Sequence, residues 1–350
     1  MATFNLFNYL EPPNAYYDFE RIYTAEQWQR KQRWIVDYIT ETQPDVIAFQ
    51  EVFSIDSLKK LLLENGYEYF STVDTPQIID DFIYKSPVVA IAAKYPIVEV
   101  AAVAHSREYV NALGLNHGFE FSRKVLRATI NLPHIGYTDC YVVHLKSKRS
   151  MIEIDDVNHA LSPEKNIIEI LKATVAGGWG ATIQRGSEAT LLMLAMIEQR
   201  KKTNQPMILM GDFNNDLTDG VLNHLLTNSL RFAPQMDTKA YLAKYCLNDA
   251  WNLFENSRLN QAILSDLIAD TQANTLNTGL VRKATHYYGA NSNVLDYILL
   301  SCEFDSRCPD NFFDVSEHHT YDRHLLNPEY EKDDLTTDHA VICITLTLRN

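Results

Sequence analysis

The sequence predicts an α/β fold, and three observations support this class. Short apolar runs rich in Val, Ile and Ala alternate with amphipathic stretches from one end of the chain to the other. Hydrophobic residues make up 46% of the 350 residues, with 19 Tyr and 15 Phe, which gives enough apolar surface for a sizeable core and excludes a disordered chain. No Pro- or Ser-rich linker separates two halves. We therefore expect a single domain that spans residues 1–350.

The first half of the chain changes its pattern once. Residues 3–7 predict a strand, and Thr24 and Gln27 have the spacing of a capping box that opens a helix. The run DVIAFQEV then predicts a buried strand, and SIDSLKKLLLEN predicts a second helix. Between residues 87 and 145 the successive apolar runs predict strands that are spaced as antiparallel neighbours.

The second half returns to alternating helices and strands. A strong helix is predicted for 187–202, with Glu188 in its first turn and basic residues in its last turn. The runs PMILM, NVLDYILL and AVICITLTL predict three further strands. The stretches 146–186 and 305–337 are rich in glycine or polar residues and predict long loop insertions, which in a compact domain are often functional.

The charge balance argues against one class of partner. Lys and Arg number 31 against 45 Asp and Glu, so the formal net charge is −14. A chain this acidic lacks the basic surface of a non-specific nucleic-acid binder.

Five cysteines without a CxxC pair indicate reduced thiols and no structural zinc site. No apolar run approaches the roughly 18 residues that span a bilayer, and the N-terminus lacks a signal-peptide pattern. We expect a cytoplasmic protein, or an exported one if a native signal was removed, with no obligate protein partner.

The most informative local segment is MILMGDFNND, an apolar strand that runs directly into residues 211–214. Glycine lets the backbone turn at the strand end, and Asp212 and Asn214, two apart in an extended segment, point to the same side. DFNNDLTDG is not a calcium loop, because its sixth position is Leu217 and its twelfth is Asn223. Taken alone, the segment is interpreted equally well as an ordinary Asx turn.

Other polar residues also stand within or just past apolar runs. They are Asn5, Glu51, His144, Asp296, Asp338 and His339. Each alone is more often a strand-end cap or a hydrogen-bonding core residue. An unpaired buried carboxylate costs several kcal/mol, however, so the four carboxylates in such places need a cation, a histidine or one another. They are Glu51, Asp212, Asp296 and Asp338. If they converge at one mouth of a sheet, they form a hard-cation site with two histidines beside it.

The ordered set of these segments is recognisable. Asn5, FQEV, VVHLKS, MGDFNND, LDYIL and TDHAVI resemble the motifs of the endonuclease/exonuclease/phosphatase superfamily, which has the deoxyribonuclease-I-like fold, over nearly the whole chain. The resemblance implies an α/β fold in the form of a four-layer α-β-β-α sandwich with two packed, mostly antiparallel sheets. It also implies the hydrolysis of phosphate esters with one or two Mg²⁺ or Mn²⁺ ions at the strand ends.

The resemblance further implies which residues hold the metal. Glu51 is the expected main ligand, assisted by Asn5 and Asp338. The chemistry agrees with this implication, because hydrolysis of a phosphodiester needs charge neutralisation on the non-bridging oxygens and an in-line nucleophile, and hard cations provide both.

The remaining residues of the set receive catalytic roles from the same resemblance. His339 is the expected general base on the attacking water, and Asp296 fixes its tautomer and orientation. His144 stabilises charge on the phosphoryl oxygens. Asp212 and Asn214 position the water or the leaving group, or hold a second ion.

The fold alone does not choose the phosphate ester. Inositol phosphatases carry a Cys-Asp-Arg type motif where this chain has SNVLDYILLS, which argues against that branch. HLKSKR and the pattern RxxEA at Arg185 and Glu188 look like bacterial nuclease-type members. The sequence therefore favours a nuclease. The alternatives are a sphingomyelinase-like or small-molecule phosphodiesterase or phosphatase, which suits the acidic balance, and a non-catalytic scaffold.

One dense basic cluster adjoins a predicted catalytic residue. Lys146, Lys148 and Arg149 follow His144 closely, and Arg123 and Arg127 on the preceding strand add to them. In a nuclease these side chains grip the phosphates that flank the scissile bond. A solvated basic turn is the alternative interpretation.

Overall fold

The structure is a computed structural model that describes residues 1–152, 162–230, 238–269, 280–308 and 311–349. Its strands, in chain order, are β1 (Ala2–Tyr9), β2 (Ala15–Tyr16), β3 (Val46–Val52), β4 (Tyr69–Thr72), β5 (Gln77–Ile79), β6 (Ile83–Lys85), β7 (Val88–Ala93), β8 (Ile97–Ala102), β9 (Leu126–Leu132), β10 (Gly136–His144), β11 (Met207–Asp212), β12 (Asn248–Asp249), β13 (His286–Tyr288), β14 (Asn291–Asn293), β15 (Asp296–Leu300), β16 (Phe313–Tyr321) and β17 (Val341–Leu348). Its helices are α1 (Ala25–Thr42), α2 (Ile55–Glu64), α3 (Arg107–Ala112), α4 (Pro163–Thr203), α5 (Thr238–Ala243), α6 (Ala250–Ala269), α7 (Arg323–Leu326) and α8 (Tyr330–Asp333).

Two six-stranded sheets form the centre of the fold. The first has the order β16-β17-β1-β3-β7-β4, and the second has the order β12-β15-β11-β10-β9-β8. Most neighbours are antiparallel, but β1 runs parallel to β3, and β10 runs parallel to β11. The mostly antiparallel pairing of the prediction is confirmed.

The apolar residues of the strands divide into three cores. One core lies between the sheets and includes Ala48 and Ile91 of the first sheet with Val142 and Met210 of the second. A second core packs α1 and α2 on the outer face of the first sheet, and a third packs α4 on the outer face of the second sheet. The layers therefore follow the order helix, sheet, sheet, helix.

Local sequence signals explain where α1 begins. The Thr24 hydroxyl accepts from the Gln27 amide at 3.2 Å, and the Gln27 side chain accepts from the Thr24 amide at 2.8 Å. This is the predicted capping box, which satisfies two of the donors that a helix start leaves free.

No helix in the described part of the chain is long and apolar enough to cross a membrane.

The predicted loop over 146–186 is wrong for its second part. Ser162 caps the N-terminus of α4, which continues unbroken through the GGWG segment to Thr203. Gly177 serves close packing there, because a Cβ at this position would lie 1.9 Å from the Ser150 hydroxyl oxygen and 2.7 Å from the Ile152 amide nitrogen. A glycine-rich run usually predicts a loop, but here the glycine at 177 is needed for close packing of the helix. Residues 153–161 lie outside the described residues.

The predicted loop over 305–337 is also largely wrong. Residues 313–321 form β16, which pairs antiparallel with β17 at the edge of the first sheet, and α7 and α8 follow it. The strand alternates buried Phe313 and Val315 with polar residues, a pattern that its two histidines and acidic residues conceal. Residues 309–310 lie outside the described residues.

Candidate active site

The topology brings the predicted residues to one end of the sandwich. Asp212 is the last residue of β11, and its register partners are His144 on the parallel strand β10 and Asp296 on the antiparallel strand β15. In the first sheet, β1 and β3 run parallel and carry Asn5 and Glu51. The segment before β17 returns to the same end, because β17 runs antiparallel to β1.

Asp212 is the centre of the polar network. Its Oδ2 accepts from Asn5 Nδ2 at 3.2 Å and from Asn214 Nδ2 at 3.2 Å, and its Oδ1 accepts from the Asn214 amide at 2.7 Å. His144 Nε2 lies 3.4 Å from the same Oδ2. The carboxylate is 1% exposed, so these contacts replace water around it.

A glycine makes this placement of Asp212 possible. Gly211 has φ +148°, and a Cβ at this position would lie 2.0 Å from the Val143 carbonyl oxygen. Only glycine therefore lets β11 approach β10 at the strand end, which is the turn expected from MGDFN.

His339 and Asp296 form a buried pair. His339 Nδ1 lies 2.8 Å from Asp296 Oδ2, so its Nε2 is the nitrogen that faces the site. Burial opposes the charged form, but the carboxylates of Asp296 and Asp212 raise the pKa of His339 well above its ordinary value. The Thr337 hydroxyl accepts from the His339 amide at 3.1 Å and donates to the Asn5 carbonyl oxygen at 2.7 Å, which holds the two segments together.

Glu51 lies on the opposite side of this cluster. The backbone of Glu51 has a left-handed φ of +60°, and the Glu51 Oε2 accepts from the Asn8 amide at 2.9 Å. His144 Nε2 lies 4.0 Å from Glu51 Oε1. Burial and the charge of Asp338 raise the pKa of Glu51 above its ordinary value.

The donor set fits a hard cation. Burial raises the pKa of Asp212, and the nearby charge of Asp296 adds to this rise. The buried Asp296 Oδ1 finds no hydrogen-bond partner among the described residues. Asp212, Asp296 and His339 each offer a ligand atom within 4.8 Å of the others. A divalent cation would compensate this concentration of buried negative charge, and oxygen donors are the ligands that Mg²⁺ prefers.

The structure brings only part of the predicted basic cluster to the site. Lys148 and Arg149 are exposed, and Lys146 is half-buried with its ammonium donating to the Arg149 carbonyl oxygen at 3.1 Å. Arg123 reaches the site directly, because its Nη1 lies 3.5 Å from the His144 carbonyl oxygen and its charge lowers the pKa of Glu51.

Arg127 is not brought to the site. It is buried and forms ion pairs with Asp139, at 3.0 Å, and with Glu99. Its neighbours Leu126 and Ala128 face the core between the sheets, so Arg127 faces the α4 layer. It lines a separate cavity of about 330 Å³, together with residues of β8 and α4.

Sequence reasoning missed several residues that shape the site. His286 lies with its ring centroid 5.0 Å from that of His339, and the GAN turn after it is the kind of hairpin signal that could have located it. Thr285 accepts from the Leu295 and Asp296 amides. Tyr17, whose pKa burial and the charge of Glu51 raise to about 12, has no sequence signal that places it here.

A family model decides the classification of this fold and site. The model of the endonuclease/exonuclease/phosphatase family matches residues 2–318. The chain belongs to the endonuclease/exonuclease/phosphatase family. Members of this family are phosphoesterase hydrolases and generally depend on divalent metals. No curated protein sequence matches this endonuclease/exonuclease/phosphatase chain.

Solved structures share the fold at low sequence identity. The human Nocturnin catalytic domain with bound sulfate anion has a TM-score of 0.55 and 16% identity, over 98% of this chain and 93% of that one. A D. rerio TDP2 humanized by 14 mutations has a TM-score of 0.53 and 12% identity, over 99% and 97% of the chains. An endonuclease/exonuclease/phosphatase from Beutenbergia cavernae DSM 12333 has a TM-score of 0.50 and 16% identity, over 99% and 70%. These likenesses confirm the fold.

Proposed function

We propose that this protein is a divalent-metal-dependent phosphodiesterase of nuclease type that activates water with a histidine base. The single observation that carries the proposal is the His339–Asp296 pair at 2.8 Å, whose free Nε2 faces the cluster of buried carboxylates. A base held in one tautomer beside a cation site is the arrangement that hydrolysis of a phosphodiester requires.

Each group then has a task that its surroundings support. His339 Nε2 takes the proton from the attacking water, while Asp296 holds the imidazole ring and stabilises its charged form. Burial and the charge of Arg123 lower the pKa of His144 well below its ordinary value, so this ring is neutral and donates a hydrogen bond to a phosphoryl oxygen. Asp212 and Asn214 orient the water or the leaving group.

The oxygen-rich side of the site would hold the metal. Glu51, assisted by Asn5 and Asp338, would bind Mg²⁺ or Mn²⁺, and Asp212 with Asn214 provides room for a second ion. The bound ion supplies charge neutralisation on the non-bridging phosphate oxygens. Arg123, half-buried beside His144, reinforces that effect from the protein itself.

Nucleic acid is the substrate we favour, and we expect the protein to bind only the phosphates close to the cleaved bond. Lys146, Lys148 and Arg149 extend from the strand that carries His144, and with Arg123 they form a positive rim on an acidic molecule. Arg127 has no part in this rim, because its charge is already paired.

The direct test is cleavage of single- and double-stranded DNA and RNA with and without Mg²⁺ or Mn²⁺. We expect EDTA to abolish cleavage and His339→Ala to reduce kcat roughly 10²- to 10⁴-fold, the usual contribution of a general base. His319→Ala is the matched control, because 68% of the His319 side chain is exposed on the edge strand β16. Metal-dependent cleavage that His339→Ala leaves intact would overturn the mechanism.

A lipid or small-molecule phosphodiester is the second candidate. The net charge of −14 favours it, since binding along many phosphates of a nucleic acid needs more basic surface than this chain has. Release of choline phosphate from sphingomyelin without any cleavage of nucleic acid would decide for this candidate. Calorimetry that shows equal, negligible metal binding by the wild type and Glu51→Ala would instead favour a scaffold.

A further inference from the structure

The hairpin of β13 and β14 fixes a histidine beside the active site. His286 and His339 form an antiparallel β-bridge, and the Ala340 amide donates to the Thr285 carbonyl oxygen at 2.7 Å. The Thr285 hydroxyl in turn accepts from the Asp296 amide at 3.1 Å. The position of His286 is therefore fixed by backbone contacts to the segments that carry His339 and Asp296. None of the tasks proposed above for hydrolysis uses His286.

Three potential ligand atoms converge at this point. His286, Asp338 and His339 each offer one atom, and all three atoms lie within 4.8 Å of one another. His339 Nε2 lies 4.0 Å from Asp338 Oδ1. Tetrahedral zinc with bonds of about 2.0–2.2 Å places its ligand atoms roughly 3.4 Å apart, so a closure of about 1 Å completes the geometry. The Asp338 side chain is 46% exposed and has room for this movement.

The chemistry of the three ligands selects the cation. Mg²⁺ binds oxygen in an octahedral shell and is poorly served by imidazole. Two imidazoles and one carboxylate, with a fourth position open to water, are typical of zinc. His339 also has the outer contact of a zinc ligand, because its Nδ1 is bound to the carboxylate of Asp296.

We propose that His286, Asp338 and His339 form a binding site for Zn²⁺ or a similar transition-metal ion, which adjoins the Glu51 side of the active site and shares the Asp338 carboxylate with it. Coordination uses the lone pair of His339 Nε2, which is the same lone pair that accepts the proton of water. An ion in this site therefore inhibits hydrolysis, a consequence that rests on the proposed function. The binding itself does not rest on it.

The binding test uses the full chain with excess Mg²⁺ present, so that the oxygen-rich side is filled. Zn²⁺ is titrated by calorimetry, and Co²⁺ is titrated by visible absorption, which reports four-coordinate geometry. We expect one ion to bind the wild type and His286→Asn to weaken binding by more than about 10-fold. His319→Asn is the matched control and should bind as the wild type does. Equal binding by wild type and His286→Asn would overturn the proposal.

A second variant and a second readout keep the test decisive. If thermal unfolding shows that His286→Asn does not fold, His286→Gln replaces it with the same expected loss of Zn²⁺ or Co²⁺ binding. In the cleavage assay with Mg²⁺, the Zn²⁺ concentration for half-inhibition should rise by the same factor as the dissociation constant, relative to the rate of each variant without zinc. Absence of all cleavage would contradict the proposed function, whereas binding that ignores His286 would contradict the zinc site.

Discussion

The two nitrogens of His339 face different surroundings, and this asymmetry defines its chemistry. Nδ1 is bound to Asp296 at 2.8 Å, whereas Nε2 lies 3.9 Å from Asp212 and 4.0 Å from Asp338. A ring placed between three carboxylates holds a proton strongly in the metal-free protein. Bound cations would weaken that hold, which couples the readiness of the base to the presence of metal.

Asp296→Asn tests this dependence on charge. Removing the carboxylate should lower the pKa of His339 in the metal-free protein toward its ordinary value, because the largest favourable contact with the imidazolium is lost. The pH titration of the His339 ring by NMR measures the shift. Activity needs bound metal and the neutral ring, so it rises with pH through the pKa of His339 in the metal-bound protein. Asp296 raises that pKa as well, so the acid limb of activity should move to lower pH in the variant. Its plateau should fall roughly 100-fold or more, since the tautomer is no longer fixed.

The opposite result would place the control of His339 elsewhere. An unchanged ring titration in Asp296→Asn would show that Asp212 or Asp338 determines the pKa. Asp314→Asn, on β16, is the matched control, because Asp314 carries the same charge on a strand outside this cluster.

Single residues also show a limit of sequence reasoning. Arg123 and Arg127 were both predicted near the basic cluster, but only Arg123 lies beside His144. Arg127 points from β9 toward α4, where Asp139 and Glu99 neutralise it. The face to which a strand residue points depends on register, and register depends on partners that the local sequence does not contain.

At the scale of elements, α4 supports the rim of the site from behind. The buried Glu188 carboxylate accepts from the Ser122 amide at 2.7 Å and from the Lys146 amide at 2.7 Å. Arg185, one turn earlier, donates to the Lys146 carbonyl oxygen at 3.0 Å. The RxxEA pattern thus fixes the backbone next to both Arg123 and Lys146, which gives this pattern a physical role.

Glu188→Gln should weaken the attachment of the Ser122 and Lys146 segments to α4. An amide offers one acceptor oxygen where the carboxylate offers two, so one partly buried N–H loses its partner and the protein is destabilised by about 1–3 kcal/mol. We expect KM to rise more than kcat falls, because substrate grip depends on Arg123 and Lys146 while His339 is untouched. Chemical denaturation and steady-state kinetics measure the two effects.

The matched control for this prediction lies on the same helix. Glu198 has a side chain that is 53% exposed and, within the described part of the chain, forms an ion pair only with Lys201, so Glu198→Gln should change stability by no more than about 0.5 kcal/mol. Equal effects of the two substitutions would show that Glu188 does not support the rim.

The elements that sequence reasoning missed share one cause. The start of α4 was hidden by Gly177, Gly178 and Gly180, and β16 was hidden by its polar residues. In both cases a tertiary contact outweighs local preference: Gly177 fits against Ser150, and β16 gains a full ladder with β17. Elements with a clear apolar period, such as β3 and β11, were predicted from sequence.

At the scale of the whole molecule, the sequence predicted the fold class and the convergence of the strand ends. The argument succeeded because buried carboxylates at strand ends must meet a partner, which is a constraint on the entire chain. It did not find His286, since a histidine in a short polar hairpin carries no such constraint. It did not find Lys31 either, which lies on α1 far from any motif.

Lys31 connects distant parts of the molecule. Its buried ammonium donates to the carbonyl oxygens of Phe7 at 2.9 Å, Leu335 at 3.1 Å and Thr336 at 2.6 Å. One donor group thus joins the segment after Asn5 to the segment before Asp338. The ammonium also lies 5.2 Å from the Tyr23 ring centroid, a favourable cation–π distance.

Lys31→Met should therefore affect stability and activity together. Three carbonyl groups lose their donor, one of them buried and two partly buried, which we expect to destabilise the protein by roughly 3 kcal/mol. Metal affinity should fall as well, because Asn5 and Asp338 are no longer held in register. Thermal unfolding and Mn²⁺ calorimetry measure these effects. Lys59→Met, an exposed position on α2, is the control and should change neither. A stable variant with unchanged Mn²⁺ affinity would contradict this role of Lys31.

The hydrogen bond from the Thr337 hydroxyl to the Asn5 carbonyl oxygen spans 332 residues of chain. In the first sheet β1 lies between β3 and β17, so β1 can complete its pairing only after the C-terminal strand has formed. Pairings of such long range form slowly. During synthesis the ribosome releases His339 after almost every other site residue. In the proposed mechanism, a nascent chain therefore carries Glu51, Asp212 and Asp296 before its base, and hydrolysis can begin only once β17 has docked.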